Sequence, residues 1–219
     1  MKTAITGGIG SGKSYVCRLL AGQGICIYDC DTHAKRLMVE SEEIRRQLTA
    51  LIGPEAYLPT SPNDQTPNSQ LLTPNSKLLT PNSFRLNKPV IARFLMASEE
   101  NAKALEHIVH PAVINDFLES GMEWMESAIL FESGFNHFVD RVVVVTAPEE
   151  LRIVRVMERD GISREKALEW INRQLPQDYL IAHANHVIVN DGCQPLLPQL
   201  EALIPLLQPF SPSFTETPS

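Results

Sequence analysis

Eight residues near the start of the chain, Gly7-Gly8-Ile9-Gly10-Ser11-Gly12-Lys13-Ser14, fit the phosphate-binding pattern G-x-x-x-x-G-K-[ST] at every fixed position. Glycines let the backbone curl so that successive N–H groups point inward at a phosphate, and a helix beginning there adds the positive end of its dipole. In that arrangement Lys13 reaches the β- and γ-phosphates of a nucleoside triphosphate and the Ser14 hydroxyl coordinates Mg²⁺. Gly8, Ile9, Gly10, Ser11, Gly12, Lys13 and Ser14 are therefore the expected nucleotide cradle. An ordinary tight turn fits less well, because the apolar run Thr3 to Thr6 precedes the loop as a strand and Val16, Leu19 and Leu20 follow it at helical spacing.

Two further groups carry charge that such a loop could use. Asp29-Cys30-Asp31 ends a second apolar run, and carboxylates two residues apart project from the same side of an extended chain. A carboxylate at that edge can hold a Mg²⁺-bound water or accept a proton from a nucleophilic hydroxyl, a role for which Asp31 is favoured and Asp29 is left open. Capping a helix that begins near Thr32 is the competing use. Arg152, Arg155, Arg159, Arg164 and Arg173 span a predicted helix, a turn at Asp160-Gly161 and another helix. Arg152, Arg155 and Arg159 fall along one helical side. Interleaved acids could absorb them in local ion pairs, yet guanidinium groups on a closing lid could also clamp phosphoryl oxygens. His110-Pro111 reads as a junction of two helices with Pro111 opening the second, where a histidine more often caps or packs than reacts.

These groups need a scaffold, and the apolar pattern supplies one. Strand-like runs recur at Thr3 to Thr6, Ile25 to Tyr28, Ala128 to Phe131, Val142 to Val145 and Val187 to Val189, with helical patterns between them. Most are continuous rather than alternating, as when both faces of a parallel sheet are covered. The expectation is an α/β protein: an open, parallel, five-stranded sheet with ligands at the carboxyl ends of its strands. A C-terminal helix is predicted from Leu196 to Leu207, with Pro198 tolerated near its start.

The chain has 219 residues, enough for one good core with appended lobes. A net charge of −7 argues against a general nucleic-acid binder. The four cysteines form no C-x-x-C pair, and Cys17 and Cys26, in apolar surroundings, are expected in the core of a protein from a reducing compartment. No apolar run approaches the ~20 residues that span a bilayer, and the loop's place in the first fourteen residues leaves no room for a signal peptide. A soluble, cytoplasmic protein without a membrane partner is expected. A guanine-reading Asn-Lys-x-Asp pattern is also missing, since Asn87-Lys88 runs into Pro89-Val90.

Between Pro59 and Ser83 the pattern gives way to a repeat, with Thr-Pro-Asn-Ser at 66–69, 73–76 and 80–83. Proline breaks regular structure at each period and no apolar face forms, so a surface excursion is expected. A recognition arm is the alternative. Residues 208–219, rich in Pro, Ser and Thr, are expected to be a frayed tail.

Taken together, the phosphate loop, Asp29-Cys30-Asp31, His110-Pro111, Leu130-Phe131-Glu132, the run Arg159 to Arg164 and His186 to Gly192 resemble, in this order, the dephospho-CoA kinase family. That family transfers the γ-phosphate of ATP to the ribose 3′-hydroxyl of dephospho-CoA, the last step of coenzyme A synthesis. The resemblance implies a kinase domain over residues 1–207, a helical substrate lobe at about 32–125 holding the repeat insertion at 59–83, and an arginine-bearing lid at about 149–180. It implies ATP and Mg²⁺ as cofactors and dephospho-CoA as the small-molecule partner. Asp31 matches the general base and a metal-side carboxylate, Lys13 and Ser14 the phosphate and Mg²⁺ contacts, and Arg155 and Arg159 the lid. Gln174 follows Arg173 as in the family's lid pattern. Asn190 and Gly192 match the loop near the adenine, and His110, Lys35, Asp31 and Arg159 fall at substrate positions. Lys35 stands where an arginine is frequent, so bidentate recognition is not implied there. Ala128-Ile129 replace the usual proline and leucine.

Overall fold

The computed structural model describes residues 1–60 and 84–207. The chain divides into two compact units, Met1–Asp31 with Asp116–Ser219, and Thr32–Asn115.

The first unit is built on a five-stranded sheet of β1 (Thr3–Thr6), β2 (Ile27–Asp29), β5 (Trp124–Glu126), β6 (Arg141–Thr146) and β7 (His186–Val189). Its order is β2-β5-β1-β6-β7 and every pairing is parallel. All four residues of β1, and Val142 to Thr146 of β6, are buried, as central strands covered on both faces must be. Helices α1 (Lys13–Gly22) and α9 (Leu196–Leu207) supply the cover on one side, where Val16, Leu20, Leu200 and Leu203 meet Ile5, Val143, Val145 and Ile188. Helices α6 (Glu149–Asp160) and α7 (Arg164–Asn172) build a smaller core from Ile153, Val156, Ala167 and Ile171, against which Ile9 packs. The short α8 (Gln177–Ala182) leads into β7.

The second unit holds most of α2 (Cys30–Glu40), then α3 (Glu42–Ile52), a hairpin of β3 (Tyr57–Pro59) and β4 (Phe84–Leu86), α4 (Lys88–Ala97) and most of α5 (Glu99–Glu119). Ser41 caps α3 by accepting from the Ile44 N–H at 3.3 Å. The strands β3 and β4 are antiparallel, and Pro59 is paired with Phe84. The Thr-Pro-Asn-Ser repeat and the tail from Gln208 lie outside the described residues.

Four sequence expectations need correction. The third strand is Trp124–Glu126, and the apolar run Ala128 to Phe131 forms turns instead. Ser127 continues the sheet through its N–H to the Ile5 carbonyl at 3.0 Å, after which the Ser127 hydroxyl and Gly134 in the left-handed region fold the chain back, with Leu130 buried. The aspartates do not both lie on extended chain, because α2 already starts at Cys30 and Asp31 sits in its first turn. Pro111 does not open a new helix: α5 runs through it, with Val109, Val113, Ile114 and Phe117 buried at helical spacing to offset the one lost backbone bond. Cys26 is exposed just before β2, whereas Cys17 is half-buried and Cys30 is buried.

Candidate active site

All five parallel strands end at one edge, and the residues with chemistry collect there. The phosphate loop follows β1, Asp29 ends β2, Glu126 ends β5, Thr146 ends β6 ahead of α6, and Asn190 follows β7. A cavity of about 410 Å³, lined in part by Gly24, Cys26, Gly121, Trp124 and Leu207, lies at the opposite, amino-terminal ends of β2 and β5. It is remote from these groups, so the open edge rather than the cavity is the candidate site.

Each carbonyl of the loop finds a donor. Gly7 O accepts from Lys13 Nζ at 2.7 Å, Gly8 O from the Ser11 N–H at 3.1 Å, Ile9 O from Arg152 Nε at 2.9 Å and Gly10 O from Arg155 Nη1 at 3.3 Å. Ser11 O accepts from Asn190 Nδ2 at 2.8 Å, and Gly12 O from the Tyr15 and Val16 amides that begin α1. Of the loop's amides, those of Ile9 and Ser11 are engaged, by Gln174 Oε1 and Gly8 O, whereas the first amides of α1, at Lys13 and Ser14, have no intrahelical partner and suit an anion. Gly12 adopts φ 91°, a left-handed conformation, and a Cβ there would run into the Asn190 side-chain amide, so the position admits only glycine.

Lys13 and Glu126 are both largely buried, with side-chain exposures of 10% and 16%, and stand 3.9 Å apart. Burial pulls the Lys13 ammonium below its ordinary pKa, opposed mainly by the Glu126 charge. Burial pushes Glu126 up, opposed by Lys13 and reinforced by Asp29 and Asp31. The magnitudes agree with that order. Opposite charges about 4 Å apart gain about 4 kcal/mol at an effective dielectric of 20, while withdrawing each ion from water costs several.

Asp29, Asp31 and Ser14 are exposed at this edge. Sequence reasoning missed Glu126, because the third strand was placed too late. The usable signal was the apolar pair Trp124-Met125 immediately before an acid, which the structure sets beside Ile5 of β1 and Asp29 of β2.

The arginines separate into two kinds. Arg159, Arg164 and Arg173, all exposed, are paired with Asp160, Glu150 and Glu169. Arg152 and Arg155 instead reach the loop. Arg155 also donates through Nη2 to Asn190 O at 3.2 Å, binding the segment after β7 to the loop, and burial lowers the pKa of Arg152. Asn190 is buried, and Gly192 is exposed with φ 82°. Ile9, expected among the nucleotide-binding residues, gives its N–H to Gln174 Oε1 at 2.6 Å. Lys35 is exposed on α2, and His110 is half-buried on α5 with its pKa lowered, chiefly by burial. Both belong to the second unit. The Cys17 and Cys30 thiols are pushed up to about 12, so neither is a nucleophile at neutral pH.

No helix among the described residues is long and apolar enough to cross a membrane. The family model for dephospho-CoA kinase matches residues 1–61 and 70–195. The dephospho-CoA kinase of Bacteroides fragilis is 36% identical over 214 residues, covering 94% of this chain and 93% of its own length. That of Chlorobaculum tepidum is 34% identical over 197 residues, covering 86% and 85%. A crystal structure from Thermus thermophilus superposes with a TM-score of 0.72 at 30% identity, over 95% of this chain and 98% of that one. The dephospho-CoA kinase of Campylobacter jejuni shares the fold, with a TM-score of 0.57 at 19% identity over 95% and 96%. The chain, with its phosphate loop and its charged groups gathered at one sheet edge, belongs to the dephospho-CoA kinase family.

Proposed function

We propose that the loop from Gly8 to Ser14, Asp31 and the arginines of α6 carry out in-line transfer of the ATP γ-phosphoryl group to the ribose 3′-hydroxyl of dephospho-CoA, giving coenzyme A. One observation carries this assignment of roles. The strand ends deliver Lys13, Asp31, Arg155 and Asn190 to a single edge, in a chain whose family match runs through all four.

Lys13 and the amides of the loop neutralise the triphosphate, and Asp31 accepts or orients the proton of the attacking hydroxyl. Arg155 holds the segment at Asn190 against the loop, next to which the adenine is placed. Arg159, exposed and paired among the described residues with its neighbour Asp160, is assigned to exchange that partner for a phosphoryl oxygen. His110 and Lys35, in the second unit, are assigned to the acceptor. Most of the rate enhancement is positioning and electrostatics.

The hydroxyl of Ser14 and the carboxylate of Asp31 are hard oxygen donors that suit Mg²⁺, an ion that takes few protein ligands when phosphates and waters complete its shell. Bound there, Mg²⁺ would neutralise charge on the phosphates. Substrate traffic from the solvent to an open edge is consistent with a soluble kinase working in the cytoplasm.

The test is ADP formation from ATP and Mg²⁺ with dephospho-CoA, beside 4′-phosphopantetheine, nucleoside monophosphates and no acceptor, with mass spectrometry of the product. Coenzyme A formed only with dephospho-CoA is the expected outcome. Phosphorylation of another acceptor, or none, would overturn the acceptor assignment.

A further inference from the structure

Ile9 fills a variable position of the loop pattern, yet every part of it is held. Its N–H donates to Gln174 Oε1 at 2.6 Å, its carbonyl accepts from Arg152 Nε at 2.9 Å, and its side chain packs on the small core of α6 and α7. Arg152 is only 5% exposed and forms no ion pair among the described residues. A buried guanidinium without a carboxylate partner is costly and calls for a compensating role.

The loop glycines record the same contact. Gly8 does not have positive φ, so backbone conformation does not demand glycine there; a Cβ would instead collide with the Arg152 guanidinium. A Cβ on Gly10 would lie 2.6 Å from the Arg152 carbonyl oxygen. The loop and the first turn of α6 are therefore fitted to each other across Gly8, Ile9 and Gly10.

We propose that Arg152 and Gln174 are positioning residues for nucleotide binding, gripping the two backbone groups of Ile9 and so fixing the curvature of the phosphate loop. Their grips come from the two ends of the α6–α7 pair, since Arg152 lies in the first turn of α6 and Gln174 follows α7. Each end holds one side of the same residue. A loop pinned in this way holds the backbone leading to the unpartnered amides of Lys13 and Ser14 before the nucleotide arrives, which lowers the ordering cost of binding. The inference rests on phosphate binding by the loop, not on the identity of the acceptor.

The experiment is equilibrium calorimetry of ATP binding without acceptor, together with steady-state kinetics, for Arg152→Met, Arg152→Lys, Gln174→Leu and the Arg152→Met/Gln174→Leu pair. Losing a charged donor should weaken ATP binding by about tenfold or more in Arg152→Met, and Arg152→Lys, which can still reach Ile9 O, should recover to within about threefold of wild type. Gln174→Leu should cost about threefold or more, and the pair less than the product, because a loop freed at one side has less to lose at the other. The acceptor KM should stay within about twofold. ATP binding unchanged in Arg152→Met or Gln174→Leu, a fully multiplicative pair, or a rise confined to the acceptor KM would each overturn the proposal. Should Arg152→Met fail to fold, Arg152→Lys and Gln174→Leu decide it alone. If ATP affinity changes as expected while no acceptor is phosphorylated, the acceptor assignment fails and the grip on Ile9 stands.

Discussion

The Lys13 ammonium donates to the Gly7 carbonyl at 2.7 Å while lying 3.9 Å from the Glu126 carboxylate, so the lysine folds back over its own loop beside a buried acid. Lys13→Met should lower turnover by about 10²–10³-fold, the usual cost of removing a charge-stabilising donor. It should also change how stability depends on pH. Burial holds Glu126 above the ordinary carboxylate range, so its contribution is fully present below that range and is lost as pH rises through the raised value. Without Lys13 the value climbs further and the loss grows. The melting temperature of Lys13→Met should therefore fall more than that of wild type as pH rises above the ordinary carboxylate range, as checked by calorimetry at a series of pH values.

Asp31 lies in the first turn of α2 and is exposed, so it can be changed without opening the core. Asp31→Asn should cut kcat by about 10²-fold or more while the Kd for ATP stays within about threefold. Equal losses in both would mean that the carboxylate shapes the nucleotide site instead of serving the hydroxyl.

Arg155 and Arg159, one helical turn apart, should fail differently. Arg155 bridges Gly10 O and Asn190 O, a spread that a planar guanidinium spans and an ammonium does not. Arg155→Lys should accordingly raise the KM for ATP by about tenfold. Among the described residues Arg159 is paired with Asp160, and its side chain is 60% exposed, so Arg159→Ala should leave the melting temperature unchanged and reduce kcat with little effect on KM. Steady-state kinetics of the two variants, run with thermal melts, separate the roles.

The repeat can be tested by its removal. Pro59 and Phe84 are paired across the β3–β4 hairpin, so the chain that leaves at Pro59 returns to a neighbouring position. Replacing Thr60 to Ser83 by a short Gly/Ser turn should preserve the melting temperature, because closing a shorter loop costs less entropy, and should keep both KM values within a few-fold. A rise in the acceptor KM alone would assign the repeat to the acceptor site.

What the sequence made legible follows from how local each signal is. The loop and Val142 to Val145 are readable because a spaced glycine pattern and an unbroken apolar run each have one good structural solution. Ala128 to Phe131 is equally apolar, but its hydroxyl and glycine neighbours favour turns, so run composition misplaced the strand and hid Glu126. Asp31 was misread for a related reason: helix α2 begins at once after β2, and no cap residue separates them. The arginine stripe shows the limit most clearly. Arg152 and Arg159 fall on one helical side, yet Arg152 is buried against the loop while Arg159 is exposed, and that difference is set by tertiary contact with Gly8 and Ile9.

The pairing of Pro59 with Phe84 also bears on how this gene can change. Each Thr-Pro-Asn-Ser copy begins seven residues after the last, a whole number of codons, so replication slippage can add or delete a copy without shifting the reading frame. On either side of the repeat the chain is held by the β3–β4 pairing, which ends at that residue pair. Should removal of the repeat leave both KM values within a few-fold, selection on the kinase would see copy number weakly, and strains of one species should differ in repeat count while the hairpin that bounds the repeat stays fixed.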